Sequence, residues 1–217
     1  EALNVVLARY VIPAGASTDE VIALVEEAAQ KENGIIVQLP LESHVDTESV
    51  LASIPPQKDV DALSPEMAER VAVGDVSVLP PVAAAVREIL SQANIAVSGK
   101  AVTVVGKGRL VGKPCAALFR ALGANVTVLG KSDNLGALRD ADVVMLGAGS
   151  PQLLKLGMVK DGVVILDAGT SEQAGVVVGD ADPAIAEKAS FFTPVPGGIG
   201  PVAVVEIFGN LLKLQQK

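Results

Sequence analysis

The chain has 217 residues, a formal net charge of −8 and a composition that is 50% hydrophobic. That length suits one large domain or two modest ones with room for a core. The acidic balance argues against a general nucleic-acid binder, and no apolar run reaches the roughly 18–20 residues a membrane span requires. Neither nucleic acid nor membrane is therefore expected as a partner.

A single cysteine, Cys115, leaves no internal disulfide to form. The opening EALNVVLARYVI has no basic head and no small-residue cleavage site, so a cytoplasmic location is expected. Glu1 is not an initiator Met, and the natural start is open.

Charge is unevenly spread. Residues 1–82 carry a net −10 and residues 83–217 a net +2. Between Ile89 and Ser132 stand Lys100, Lys107, Arg109, Lys113, Arg120 and Lys131, with no acid among them. A solvated face is one reading of such a cluster; a phosphate site is the other, because the cluster surrounds a glycine-rich turn.

Leu3–Ile12 reads as a strand. Pro13, Gly15 and Ser17 mark a turn, and Ser17 or Thr18 can cap a helix running to about Lys31, with Val21, Leu24, Val25 and Ala28 at helical spacing. Asn33-Gly34 ends it. Ile35–Leu39 reads as a short buried strand stopped by Pro40. A helix is expected near Asp46–Ser53, a loop through Pro55-Pro56 to Asp61, and another helix from Pro80 or Pro81 to about Ala93.

The rhythm then becomes regular. Strand Ala101–Val105, a glycine-rich turn, a helix over Val111–Leu122, strand Asn125–Leu129, a short helix near Leu135–Arg139, and strands Val143–Leu146 and Val163–Leu166 follow in order. A last helix covers about Gly200–Lys217. Strands alternating with helices predict βαβ units, hence an α/β fold with a parallel sheet whose ligands bind beyond the strands' carboxyl ends.

Five segments could carry chemistry. Gly106-Lys107-Gly108-Arg109-Leu110-Val111-Gly112 follows the first strand of that series. Its glycines allow close ligand approach, and the next helix can present N–H groups to an anion; a tight turn without ligand is the alternative. Lys131-Ser132, past the next strand, could meet the 2′-phosphate of NADP, although Asp133 is close by; a solvated turn is the rival reading. Gln38 ends an apolar strand, and a buried amide there needs a structural or a ligand partner. Asp59 and Asp61 in Lys58-Asp59-Val60-Asp61 are either solvated or aimed at a cleft, where a carboxylate could pair with N–H groups of a pterin-like ring. Thr193–Pro201 fixes a sharp path and exposes backbone donors. His44 reads as a surface residue, Cys115 as a packed side chain, and no metal site is expected from one Cys and one His.

Taken in order, these motifs resemble the methylenetetrahydrofolate dehydrogenase/cyclohydrolase family, which reads GIxVQLPLP, KDVDG, PCTPxG, GRSxxVGxP, HSxT, DVGIN, GDVD and TPVPGGVGPMT. The matching places are Gly34–Leu41, Lys58–Ala62, Gly106–Pro114, Asp167–Ser171, Gly179–Asp182 and Thr193–Ala203. The resemblance implies two α/β domains with a cleft. They are a folate-side domain over residues 1–82, incomplete at its start, and a Rossmann-like dinucleotide domain over 83–199. A helix over 200–217 returns to the first.

The resemblance also implies oxidation of 5,10-methylenetetrahydrofolate with NADP, or NAD, and hydrolysis of the methenyl product to 10-formyltetrahydrofolate. A tetrahydrofolate derivative would meet Val37, Gln38, Leu39, Asp59, Asp61, Pro196, Gly197, Gly198, Ile199 and Gly200, with Gln38 and Asp61 nearest the chemistry. The dinucleotide would meet Gly106, Lys107, Gly108, Lys131, Ser132 and Thr170.

The chain departs from the family pattern in several places. The family's Tyr-Val-x-x-Lys lysine would lie upstream of Glu1, so weak dehydrogenase and little cyclohydrolase activity are expected of these 217 residues. PCTPxG reads Pro80-Pro81-Val82-Ala83-Ala84-Ala85, the KDVDG glycine is Ala62, GRS is Gly106-Lys107-Gly108, the HSxT histidine is missing, and PMT reads Pro201-Val202-Ala203. A homodimer is expected by family analogy and from an unpaired sheet edge. A non-catalytic nucleotide- or partner-binding relative, and an oxidoreductase of the same fold with another substrate, remain as alternatives.

Overall fold

The fold was obtained as a computed structural model that describes residues 5–173 and 175–216. A first lobe holds α1 (Thr18–Lys31), α2 (Thr47–Ala52) and α3 (Pro65–Ala72). Ser17 and Glu20 cap α1 reciprocally, and the Asp46 carboxylate accepts from the N–H groups of Glu48 and Ser49 to start α2. Helix α3 was not expected from the sequence. Its start signal is nevertheless present, with Ser64 as N-cap and Pro65 in the first turn.

Two expected strands in this lobe do not form. Residues 5–12 form no strand and no bridge among the described residues, and residues 1–4 lie outside the described residues. Ile35–Leu39 reduces to a single bridge between Ile35 and Asp59. Apolar alternation marks a strand only where a neighbouring strand takes its hydrogen bonds. Among the described residues none lies beside 5–12 or 36–39, so Val6, Leu7, Val11 and Ile36 stay exposed. A groove of about 660 Å³ separates the two segments over α1.

The second lobe is built on a five-stranded sheet of order β2-β1-β3-β4-β7. Its strands are β1 (Ala101–Val105), β2 (Asn125–Leu129), β3 (Val143–Leu146), β4 (Val164–Asp167) and β7 (Phe191–Thr193), all parallel. Strands β5 (Ser171–Gln173) and β6 (Val176–Val178) form a separate antiparallel pair. Helices α4 (Pro81–Gln92), α5 (Gly112–Ala121) and α6 (Ile199–Gln215) cover one face of the large sheet. Alternate strand residues serve alternate faces. Val143 and Met145 of β3 pack with those helices, while Val144 and Leu146 pack with Leu154, Val159 and Ile185 on the other side. Burial on both faces explains why these strands are continuously apolar.

Helix α6 joins the lobes. Ile199 and Ala203 pack into the sheet's core, whereas Leu214 packs with Val60, Ala62, Met67 and Val78. The buried Asn210 amide donates to Val60 O at 2.9 Å and Leu79 O at 2.7 Å.

Candidate active site

Because the strands of the large sheet are parallel, the segments leaving β1, β2, β3, β4 and β7 emerge at one edge. The connection after β1 packs on the α5 face and the one after β3 on the opposite face. Such a divergence opens a crevice between β1 and β3. Its floor requires glycine. A Cβ at Gly106, whose φ is +119°, would lie 2.4 Å from Gly147 O, and one at Gly112 would lie 2.0 Å from Gly106 O. Gly108, by contrast, faces open space. The N–H groups of Lys107, Gly108 and Arg109 donate to no backbone carbonyl among the described residues. Helix α5 begins without a side-chain cap; its Lys113 N–H donates to Gly108 O at 3.0 Å and Pro114 has no N–H, so the N–H groups of residues 107–109 and Gly112 are those left to face an anion.

The crevice wall after β3 is held by a carboxylate pair. Asp180, fully buried, accepts from the N–H groups of Ala148 at 2.7 Å, Gly149 at 3.1 Å and Ser150 at 2.7 Å. Asp167 at the end of β4 accepts from Gly169, Asp180 and Ala181. Burial, and to a lesser degree the charge of Asp180, raises the Asp167 carboxyl above the usual aspartate range against the pull of those N–H groups. The Asp167 N–H donates to Thr193 Oγ1 at 2.7 Å. Gly169 and Gly179 allow this packing, since a Cβ at either would lie within 2.3 Å of the facing carboxylate. Asp167, Asp180 and Thr193 fall inside matched motifs but have no assigned role in the sequence reading; the available signal was an acid two residues before Gly169 and another just after Gly179.

The turn 194–198 leaves β7 beside this pair. Gly197 has φ +97°, and a Cβ at Gly198 would lie 2.5 Å from Pro194 O. Pro196, Gly197 and Gly200 are exposed, while Ile199 anchors α6 in the core. Thr170 is exposed after β4, and Lys131 and Ser132 are exposed after β2.

On the other lobe, Asp59 is fully buried. Its Oδ2 accepts from the Ser64 N–H at 2.7 Å, and its Oδ1 has no partner among the described residues. Asp61 is partly buried. Desolvation, and then the neighbouring Asp59 charge, push its carboxyl up to about 6. Neither acid is a plain solvated loop residue. Lys58 is engaged elsewhere, its ammonium donating to Ala29 O and Glu32 O at the end of α1.

Gln38 corrects an expectation. Its amide is exposed rather than buried and donates to Leu39 O at 3.0 Å. Gln38 and the buried Val37 line the groove beside residues 7–12, and Leu39 is half-buried. The amide surfaces because, among the described residues, no strand covers residues 36–39.

A cavity of about 770 Å³ lies between α3 and α5. On its rim Arg109 pairs with Glu48 of α2, tying the glycine-rich turn to the first lobe.

The fold and this edge define the chain as a two-lobed α/β protein with a Rossmann-type nucleotide-binding sheet. Residues 80–217 match the NAD(P)-binding domain, and residues 1–61 the catalytic domain, of tetrahydrofolate dehydrogenase/cyclohydrolase. The chain belongs to the tetrahydrofolate dehydrogenase/cyclohydrolase family.

The bifunctional protein FolD of Lactobacillus delbrueckii subsp. bulgaricus is 36% identical over 222 residues, covering 100% of this chain and 78% of its own. A crystal structure of the FolD methylenetetrahydrofolate dehydrogenase/cyclohydrolase from Campylobacter jejuni superposes with a TM-score of 0.89 at 33% identity, over 93% of this chain and 74% of that one. The Trypanosoma brucei enzyme, complexed with NADP cofactor and inhibitor, gives 0.88 at 32% identity over 94% and 74%.

Proposed function

We propose that this chain binds NADP or NAD and a reduced folate, and works in the oxidation of 5,10-methylenetetrahydrofolate and the hydrolysis of the methenyl product. The observation that supports this most is the shared edge: the dinucleotide turn 106–112 and the turn 194–200 leave the same end of one parallel sheet. The residues fit a dinucleotide, because Gly108 opens onto space that a Cβ would enter and the N–H groups of residues 107–109, which donate to no backbone carbonyl among the described residues, can face its pyrophosphate.

When bound, the oxidised nicotinamide supplies the hydride acceptor. The protein's own contribution is placement. The turn 106–112 seats the phosphates, and Asp180 fixes the wall 148–150. The turn 194–200 together with Asp61 orients the folate, whose ring N–H groups an ionised Asp61 carboxylate can accept. Hydride transfer needs mainly this juxtaposition. Cyclohydrolysis needs a proton-transfer group as well, and Asp61, with its carboxyl near 6, is the group offered by this lobe. Gln38 and Asp59 belong to the same proposed folate side.

We place the protein in the cytoplasm as a homodimer, with the lobes divided at about residue 82 and α6 returning to the first. The acidic net charge of −8 supports a small-molecule rather than a nucleic-acid partner. No described helix is long and apolar enough to cross a membrane.

Calorimetric titration with NADP and with NAD, each with and without a folate analogue, tests the reading. Dinucleotide binding that the folate analogue strengthens supports it. Binding indifferent to folate points to another substrate, and no binding by the folded chain leaves a non-catalytic relative.

A further inference from the structure

The turn after β2 contains an ion pair that bears on which dinucleotide fits. Asp133 Oδ2 accepts from Lys107 Nζ at 2.8 Å and from the Gly130 N–H at 2.7 Å. Lys107 reaches it from the glycine-rich turn after β1 and lies over the end of β2; a Cβ at Gly130 would stand 3.0 Å from its Nζ and 3.1 Å from its Cδ. Lys131 and Ser132 share the turn and are exposed.

The end of this second strand is where the adenosine ribose of a dinucleotide arrives. A carboxylate there accepts from free ribose hydroxyls, whereas a 2′-phosphate adds about −1.5 to −2 charge and seeks cations. The cation that reaches this place from the glycine-rich turn, Lys107, is already neutralised by Asp133. A 2′-phosphate must therefore displace the Asp133 carboxylate or lie against it. The pair is exposed and adds little to stability, so its consequence falls on ligand choice.

We propose that Asp133 is the residue that sets the choice between NADP and NAD: by holding Lys107 it cancels the preference for a 2′-phosphate that Lys107, Lys131 and Ser132 would otherwise give. The proposal rests on the dinucleotide reading of the 106–112 turn. Asn at 133 can still accept from the Gly130 N–H while removing the charge that neutralises Lys107, so the turn keeps its shape.

Calorimetric titration of the wild type, Asp133→Asn and Asp133→Asn/Lys107→Ala with NADP, NAD, 2′,5′-ADP and 5′-AMP tests it. The wild type should bind NADP and NAD within about threefold of each other. Asp133→Asn should tighten NADP and 2′,5′-ADP about tenfold, the scale of one charge contact, and leave NAD and 5′-AMP unchanged. The double variant should lose that gain. NADP affinity unmoved by Asp133→Asn, or a wild type that already prefers NADP by more than about thirtyfold (some 2 kcal/mol), overturns the proposal while leaving the dinucleotide reading intact. Failure of every dinucleotide to bind the folded wild type overturns both.

Discussion

The N–H of Asp167 donates to Thr193 Oγ1 at 2.7 Å, and through this bond the end of β4 is tied to the start of the turn that leads into α6. Asp167 in turn accepts from the N–H of Asp180, whose carboxylate holds the loop after β3. One buried chain of polar contacts thus spans the loops after β3, β4 and β7, with no cation paired to either acid among the described residues.

Replacing Asp180 with Asn should therefore be costly. An amide offers one acceptor oxygen where the carboxylate offers two, and it turns an NH2 group toward backbone donors. The expected destabilisation is about 2–3 kcal/mol, read as a lowered urea midpoint with unchanged m-value.

The glycines of the β1 turn should separate into two kinds. Gly112→Ala places a methyl 2.0 Å from Gly106 O, so the turn must open; a loss of about 3 kcal/mol or more, or failure to fold, is expected. Gly108→Ala meets nothing within 4 Å and should leave the thermal midpoint unchanged. It should instead weaken dinucleotide binding about tenfold or more, because its methyl enters the space offered to the phosphates. Melting curves and calorimetry on both variants check the pair.

Asp61 makes stability pH-dependent in a defined direction. Its carboxyl is raised from 3.8 to about 6, so the folded state holds its proton more tightly than the unfolded state. That contribution is fully present below pH ~4 and is lost as pH rises through about 6. Partial exposure limits it to roughly 1–2 kcal/mol. Asp61→Asn, which cannot ionise, should flatten the stability profile between pH 4 and 7 and raise stability at pH 7, while folate binding falls. Urea titrations across that range measure the first effect.

Ala62 occupies a left-handed conformation, φ +52°, where the family pattern has glycine. Relief of that conformation gains about 1–2 kcal/mol, and loss of one buried methyl costs about 0.8 kcal/mol. Ala62→Gly should be neutral to about 1 kcal/mol stabilising. A clear loss of stability in thermal melts would mean that the methyl's packing against Met67 and Val78 outweighs the backbone term.

Much of the second lobe was legible in the sequence because its signals are local. β1, β2 and β3 fall where apolar runs between glycine turns put them, and in the first lobe α1 (Thr18–Lys31) follows the expected Ser17 cap and ends at Lys31. Helix α3 was not expected, because its short polar stretch hid its apolar spacing, although its start signal stands in Ser64-Pro65-Glu66. β7 is only three residues long, too short for periodicity to register. The described part of the strand expected over Leu3–Ile12, residues 5–12, and the strand expected over Ile35–Leu39 do not form for a different reason: apolar alternation states a preference, and a strand exists only if a partner takes its hydrogen bonds.

The sequence by itself determined the family and the segments that carry its motifs, because those are patterns of residue type and spacing. It also determined where backbone must turn tightly, since Gly106, Gly112 and Gly179 announce positions without room for a Cβ. Only the tertiary structure decided that Asp167 and Asp180 are buried together, that Lys107 is spent on Asp133, that Lys58 is spent on the end of α1, and that Gln38 faces solvent. Those outcomes depend on which groups packing brings within hydrogen-bond reach and which it leaves to water. Burial and electrostatics are properties of distance in space, and distance along the chain does not fix it.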